Sequence, residues 1–92
     1  MKPENNGAIL CKAHELVNAE RQDDYGSPAA SLSRIATMWS AYLEQPVNAR
    51  DVALLLALMK IAREAHRDKE DNLLDAAGYI GLAADMATLE AV

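Results

Sequence analysis

"ARDVALLLALMKIAREAHRDKEDNLLDAAGYIGLAADMATLEA", residues 49–91, reads as two long helices joined by a short polar link. From Val52 to Met59 every residue is apolar, and polar residues enter only at Lys60. A helix that is apolar all round is buried all round. The link "RDKED" is entirely charged, and after it apolar residues recur at helical spacing. The pattern predicts helices over about 49–67 and 71–90, with Asn48 capping the first and Asp51 completing a capping box. Asp71, or Asp68 before it, is the expected cap of the second.

Working outward, Pro46 in "EQPVN" ends a preceding helix over about 28–44, which Ser27 caps and Pro28 starts. Leu32, Ile35, Ala36, Trp39, Tyr42 and Leu43 form its apolar stripe. A first helix is expected over about 7–21, with Ile9, Ala13, Leu16, Val17 and Glu20 on one side, and residues 1–6 as a disordered N-terminus. No alternating run or hairpin turn signals a strand. The expected fold is therefore all-α: one domain, a four-helix antiparallel up-down bundle. The all-round apolar helix then calls for a second subunit, making a dimer or higher oligomer. The alternative is a central helix that turns Ala53 and Ala57 outward.

Composition narrows the function classes. The chain has 92 residues, 51% of them apolar, no Phe and a net charge of −5. A chain of this length buries only roughly 60% of its unfolded surface, so assembly would help it. The acidic balance argues against direct nucleic-acid binding, which needs a basic surface. Cys11 is the single cysteine, which excludes a disulfide framework and a thiolate zinc site and fits a reducing cytoplasm. No apolar run is long enough to span a membrane, and the N-terminal "MKPENNG" carries no signal-peptide pattern.

The candidate site residues follow from charges that the helical pattern turns toward the bundle. Lys60, Arg63 and Arg67 fall on one stripe that can hold phosphates, although a solvated face is the simpler account of Arg67. Asp71 and Asp75 are one turn apart at the head of the stripe Gly78, Tyr79, Leu82 and Met86. A core-facing carboxylate is costly unless paired or bound to a cation. An antiparallel hairpin brings Asp75 level with about Arg63, so the pattern allows either an Asp75–Arg63 ion pair or a carboxylate pair for Mg²⁺. Glu20 lies on the apolar side of the first helix, with Arg21 beside it. Up-down topology brings "ERQDDYGSP", residues 20–28, to the same end as "RDKED". There Tyr25 can stack on a base, and Gly26 lets the backbone turn tightly.

The segments "ERQDDYGSP", "IATMWSAYL" and "DVALLLALMKIAREAHRDKEDNLLDAAGYIGLA" together resemble a family of small phage and prophage helical proteins of uncharacterised function. The likeness covers roughly residues 15–84. More distantly the chain is similar to the MazG-like all-α nucleoside triphosphate pyrophosphatases, which hold Mg²⁺ on helical carboxylates. That resemblance implies Glu20, Asp71 and Asp75 as metal ligands. It implies Lys60 and Arg63 as phosphate contacts, to which the converging segments add Arg21, Tyr25 and Tyr79 as candidate nucleotide contacts, and a nucleotide or nucleotide-derived partner inside a bacterial host. The family's E-x-x-E helix has only Asp51 and Glu64 in its place here, and Asp51 stands at the far end from Asp75. Three functions are therefore carried forward: a nucleotide binder with Mg²⁺-dependent pyrophosphate hydrolysis, a non-catalytic sponge for a nucleotide immune signal, and an anti-defence inhibitor acting by protein contact.

Overall fold

A computed structural model describes residues 3–20 and 27–90, with side chains over 6–18 and 27–86. The described chain is all-helical. α1 spans Pro3–Glu15 and continues as a π-helical turn over Leu16–Glu20; α2 spans Pro28–Leu43, α3 Ala49–His66 and α4 Glu70–Glu90. α1 begins ahead of the expected residue 7, and proline suits a helix start because its missing N–H has no intrahelical partner there.

The caps are set by short-range chemistry. Ser27 accepts the Ala30 N–H at 3.2 Å and Pro28 opens α2. Asn48 accepts the Asp51 N–H at 2.8 Å and Asp51 accepts the Asn48 N–H at 3.2 Å, a reciprocal capping box for α3. α2 ends where Glu44 turns left-handed, at φ 55°. The Ser40 hydroxyl then accepts the Val47 N–H at 2.8 Å and donates to the Val47 carbonyl at 3.0 Å, tying the link to the helix it leaves.

The start of α4 differs from the expected cap by Asp71 or by Asp68 before it. The helix begins at Glu70, which leaves Asp71 inside the first turn. The orphan N–H of Lys69 is instead met by Glu64 of α3, which accepts it at 2.9 Å. Glu64 also accepts from the Asn72 amide at 3.4 Å, and Asn72 is itself buried. A side chain from the preceding helix thus does the work expected of a local cap, which helical periodicity cannot reveal.

α3 and α4 form the most extensive helix pair; α2 packs on α3 and α1 on α4. The core joins Leu32 and Ala36 of α2, Val52 and Ala53 of α3, and Leu82, Ala83 and Met86 of α4. One expectation is corrected, and the alternative reading of the apolar helix is excluded. Tyr42 and Leu43 leave the predicted α2 stripe and are 88% and 53% exposed, because the stripe drifts off the core at the helix end. Ala53 and Ala57 do not face outward: they are 0% and 3% exposed, while Leu55 and Leu58 are 45% and 59% exposed. The small residues face in because they let α2 and α4 approach α3 closely, and the leucines are left on the outer side.

Candidate functional site

The end of α1, the start of α2, the middle of α3 and the head of α4 enclose a cavity of about 120 Å³. Its walls are mainly apolar: Leu16 and Val17, Pro28, Leu32 and Ile35, Leu56, Leu74 and Leu82. Asp75, Ser31 and Tyr79 add polar groups. An apolar cleft with a few fixed polar groups is the usual form of a small-molecule site.

The placement of each wall residue follows from helix geometry. Asp75, Gly78, Tyr79 and Leu82 recur at three- and four-residue steps, so they share a face of α4. Gly78 lets α1 approach. A methyl group built on its Cα would stand 3.1 Å from Val17 Cγ2, so the glycine defines how near the end of α1 lies. Lys12 of α1 pairs with Glu70 of α4 at 3.0 Å, but that pair is more than half exposed and adds little.

Asp75 is ion-paired with Lys60: Nζ lies 2.9 Å from Oδ2, with the two side chains only 16% and 13% exposed. This corrects the expected Asp75–Arg63 pairing. Lys60 lies on the same side of α3 as buried Ala53 and Ala57, and its four-carbon stem reaches across the hairpin. Arg63 is exposed. With Met59, Ala62, His66, Arg67 and Lys69 it lines a second, open groove of about 660 Å³ at the end of α3. Cations at a helix C-terminus are favoured there by the helix dipole. Arg63 and Asp75 therefore line different clefts.

The other sequence candidates are distributed as follows. Tyr79 lines the same cavity as Asp75, and Asp71 is exposed in the first turn of α4. Arg21 and Tyr25, with the side chain of Glu20, lie outside the described residues. Among the described residues no three metal-ligating side chains converge. Ser31 was missed by sequence reasoning because a serine facing a cavity has the same pattern as one facing solvent.

A carboxylate pair at the α3–α4 link also escaped notice. The Lys69 N–H holds the Glu64 carboxyl below its usual range, with smaller help from Asp68 and Asn72, against partial desolvation. Asp68 is raised, because it hydrogen-bonds to Glu64 and feels its negative charge. The two share a proton best when Asp68 carries it.

Comparison with known proteins fits a phage origin. Residues 8–87 match the family model described as domain of unknown function DUF6378. The chain is 38% identical over 81 residues to the Gene 55 protein of Mycobacterium phage L5, covering 86% of this chain and 52% of that protein. It is 42% identical over 78 residues to the Gene 55 protein of Mycobacterium phage D29, covering 80% of this chain and 50% of that protein. The chain thus spans about half the length of these curated relatives. No solved structure matches it. The chain belongs to the DUF6378 family.

Proposed function

We propose that this DUF6378 protein binds a phosphorylated nucleotide at the end of its bundle and holds it without turnover. The observation that carries the reading is the largely buried Lys60–Asp75 pair at the wall of an apolar, four-helix cavity. The apolar wall suits a nucleobase. Asp75 accepts from the N–H groups of a base or the hydroxyls of a sugar, and Tyr79 adds ring surface. Lys60 keeps the charge of Asp75 compensated, so the cavity offers an acceptor without an isolated buried anion. Arg21 and Tyr25, which lie outside the described residues, are assigned from the sequence alone as the phosphate and stacking contacts. Arg63, in the neighbouring groove, attracts the phosphates from the outside. In a phage protein such binding serves to sequester a nucleotide signal made by host defence.

Binding is preferred to hydrolysis because Asp75 is already paired with an ammonium 2.9 Å away, which compensates its charge without a metal ion. A MazG-like pyrophosphatase would need Glu20, Asp71 and Asp75 gathered on one ion, with Lys60 displaced. Calorimetry with linear and cyclic nucleotides tests the proposal directly, followed by recovery of the ligand after denaturation. Intact ligand and weakened binding in Asp75→Asn support it. Pyrophosphate released from an NTP with Mg²⁺, and lost in Asp75→Ala, replaces it with the hydrolase. Absence of binding across the panel refutes both.

A further inference from the structure

The outer side of α3 carries a second apolar seam that the bundle does not use. Asp51, Leu55, Leu58, Ala62 and Ala65 recur at steps of four, three, four and three residues. That is the a/d spacing of a coiled coil. Leu55 and Leu58 are 45% and 59% exposed, and Ala62 and Ala65 are exposed beside them. Leu54 and Ile61 flank the seam, Ile61 at 49% exposure. Within α3, no charged residue interrupts the seam between Asp51 at one end and His66 at the other.

We infer that this seam is the contact between two copies of the chain, with the α3 helices antiparallel about a twofold axis. Antiparallel coiled-coil layers pair an a position with a d position of the partner. In that register Leu55 of one protomer lies over Ala65 of the other, and Leu58 lies over Ala62. Each layer then joins one large and one small side chain, which lets the helices approach closely. A twofold contact is self-complementary, so the four residues build four layers.

The charges select the same arrangement. Antiparallel pairing brings the α3 N-terminus, with Asp51, to the partner's α3 C-terminus. The last turn and cap of that helix carry Arg63, His66 and Arg67, and its dipole end is negative where the partner's N-terminus is positive. A parallel pair would instead set the two α3 C-terminal ends, each with Arg63 and His66 in its last turn, side by side, so it is disfavoured by repulsion and by the aligned helix dipoles. The exposed leucines, which on a monomer face water, become the core of the interface.

Sedimentation and light scattering on the full chain, from low to high micromolar concentration, test the assignment. The expected mass is twice 10.0 kDa. Leu58→Glu puts a carboxylate into the seam and should weaken association on the order of 100- to 1,000-fold, since burying an unpaired charge costs several kcal/mol. Helicity should be unchanged, because residue 58 is exposed in the single chain. Cross-linking gives an independent readout in a Cys11→Ser background. Chains carrying Leu58→Cys, mixed with chains carrying Ala62→Cys, should oxidise to a mixed disulfide faster than either alone. A monomer at every concentration overturns the inference. So does a dimer that Leu58→Glu leaves intact, or one that gives no preferred Leu58→Cys to Ala62→Cys cross-link.

Discussion

Replacing Gly78 with alanine tests how closely α1 is seated on α4, and with it the cavity that the two helices share. Gly78 and Gly81 stand one turn apart in the same helix, so alanine gains about 0.8–1.0 kcal/mol of helix propensity at either position. At Gly81 the new methyl meets nothing within 4 Å, and the gain should appear in full. At Gly78 it would stand 3.1 Å from Val17 Cγ2, inside the optimal carbon–carbon separation of about 3.5–4.0 Å. Overpacking of that kind costs about 1–3 kcal/mol. Gly81→Ala should therefore stabilise by about 1 kcal/mol, or about 4–8 °C in Tm for a domain of this size. Gly78→Ala should be neutral or destabilising by up to about 2 kcal/mol. The assay is urea unfolding followed by far-UV circular dichroism and Trp39 fluorescence. Val17→Ala removes the colliding methyl, so the double variant Val17→Ala/Gly78→Ala should be more stable than the two single effects add up to. Equal stabilisation by Gly78→Ala and Gly81→Ala, with no coupling to Val17, would falsify the seating of α1 and remove one wall of the cavity.

Other outcomes follow from particular contacts. Lys60→Met strips Asp75 of its ammonium in a largely buried setting and should cost about 3–5 kcal/mol. The double variant Lys60→Met/Asp75→Leu should recover much of that in denaturant unfolding, since the carboxylate is gone too. The Glu64–Asp68 pair should appear in carboxyl-carbon NMR as one group titrating below its ordinary range and the other above it. Glu64 contributes stability that is present above its unfolded pKa and lost as pH falls through its lower folded value. Asp68 does the reverse: its contribution is present below its unfolded pKa and lost as pH rises through its raised folded value. Glu64→Gln should return Asp68 toward the ordinary range. Asn48→Ala removes one arm of the α3 capping box and should cost about 1 kcal/mol, read as a lower Tm.

Much of the fold was legible because its signals are local. Ser27, Pro28, Asn48 and Asp51 stand where a helix start needs an acceptor or tolerates a missing N–H, and each was readable within four residues of chain. Pro46 and the charged run 67–71 separated the helices for the same reason. The cap of α4 was not legible, because Glu64 supplies it from the preceding helix. The candidate site was partly legible. A carboxylate at the head of an apolar stripe announced that Asp75 needed a partner, but an even-handed hairpin register pointed to Arg63 where the structure uses Lys60.

The sequence by itself determined the number of helices, the start signals of α2 and α3 and the demand that Asp75 be compensated, because these depend on neighbours along the chain and on the cost of burying charge. Only the tertiary structure decided which cation answers Asp75 and which residues share its cavity. It alone also decided which side of an all-apolar helix is turned to the core. Those depend on how far one helix slides and rotates against another. A shift of a single turn, which leaves every local pattern intact, exchanges Arg63 for Lys60, and a rotation of α3 about its axis would exchange the alanines facing the core for the leucines facing out.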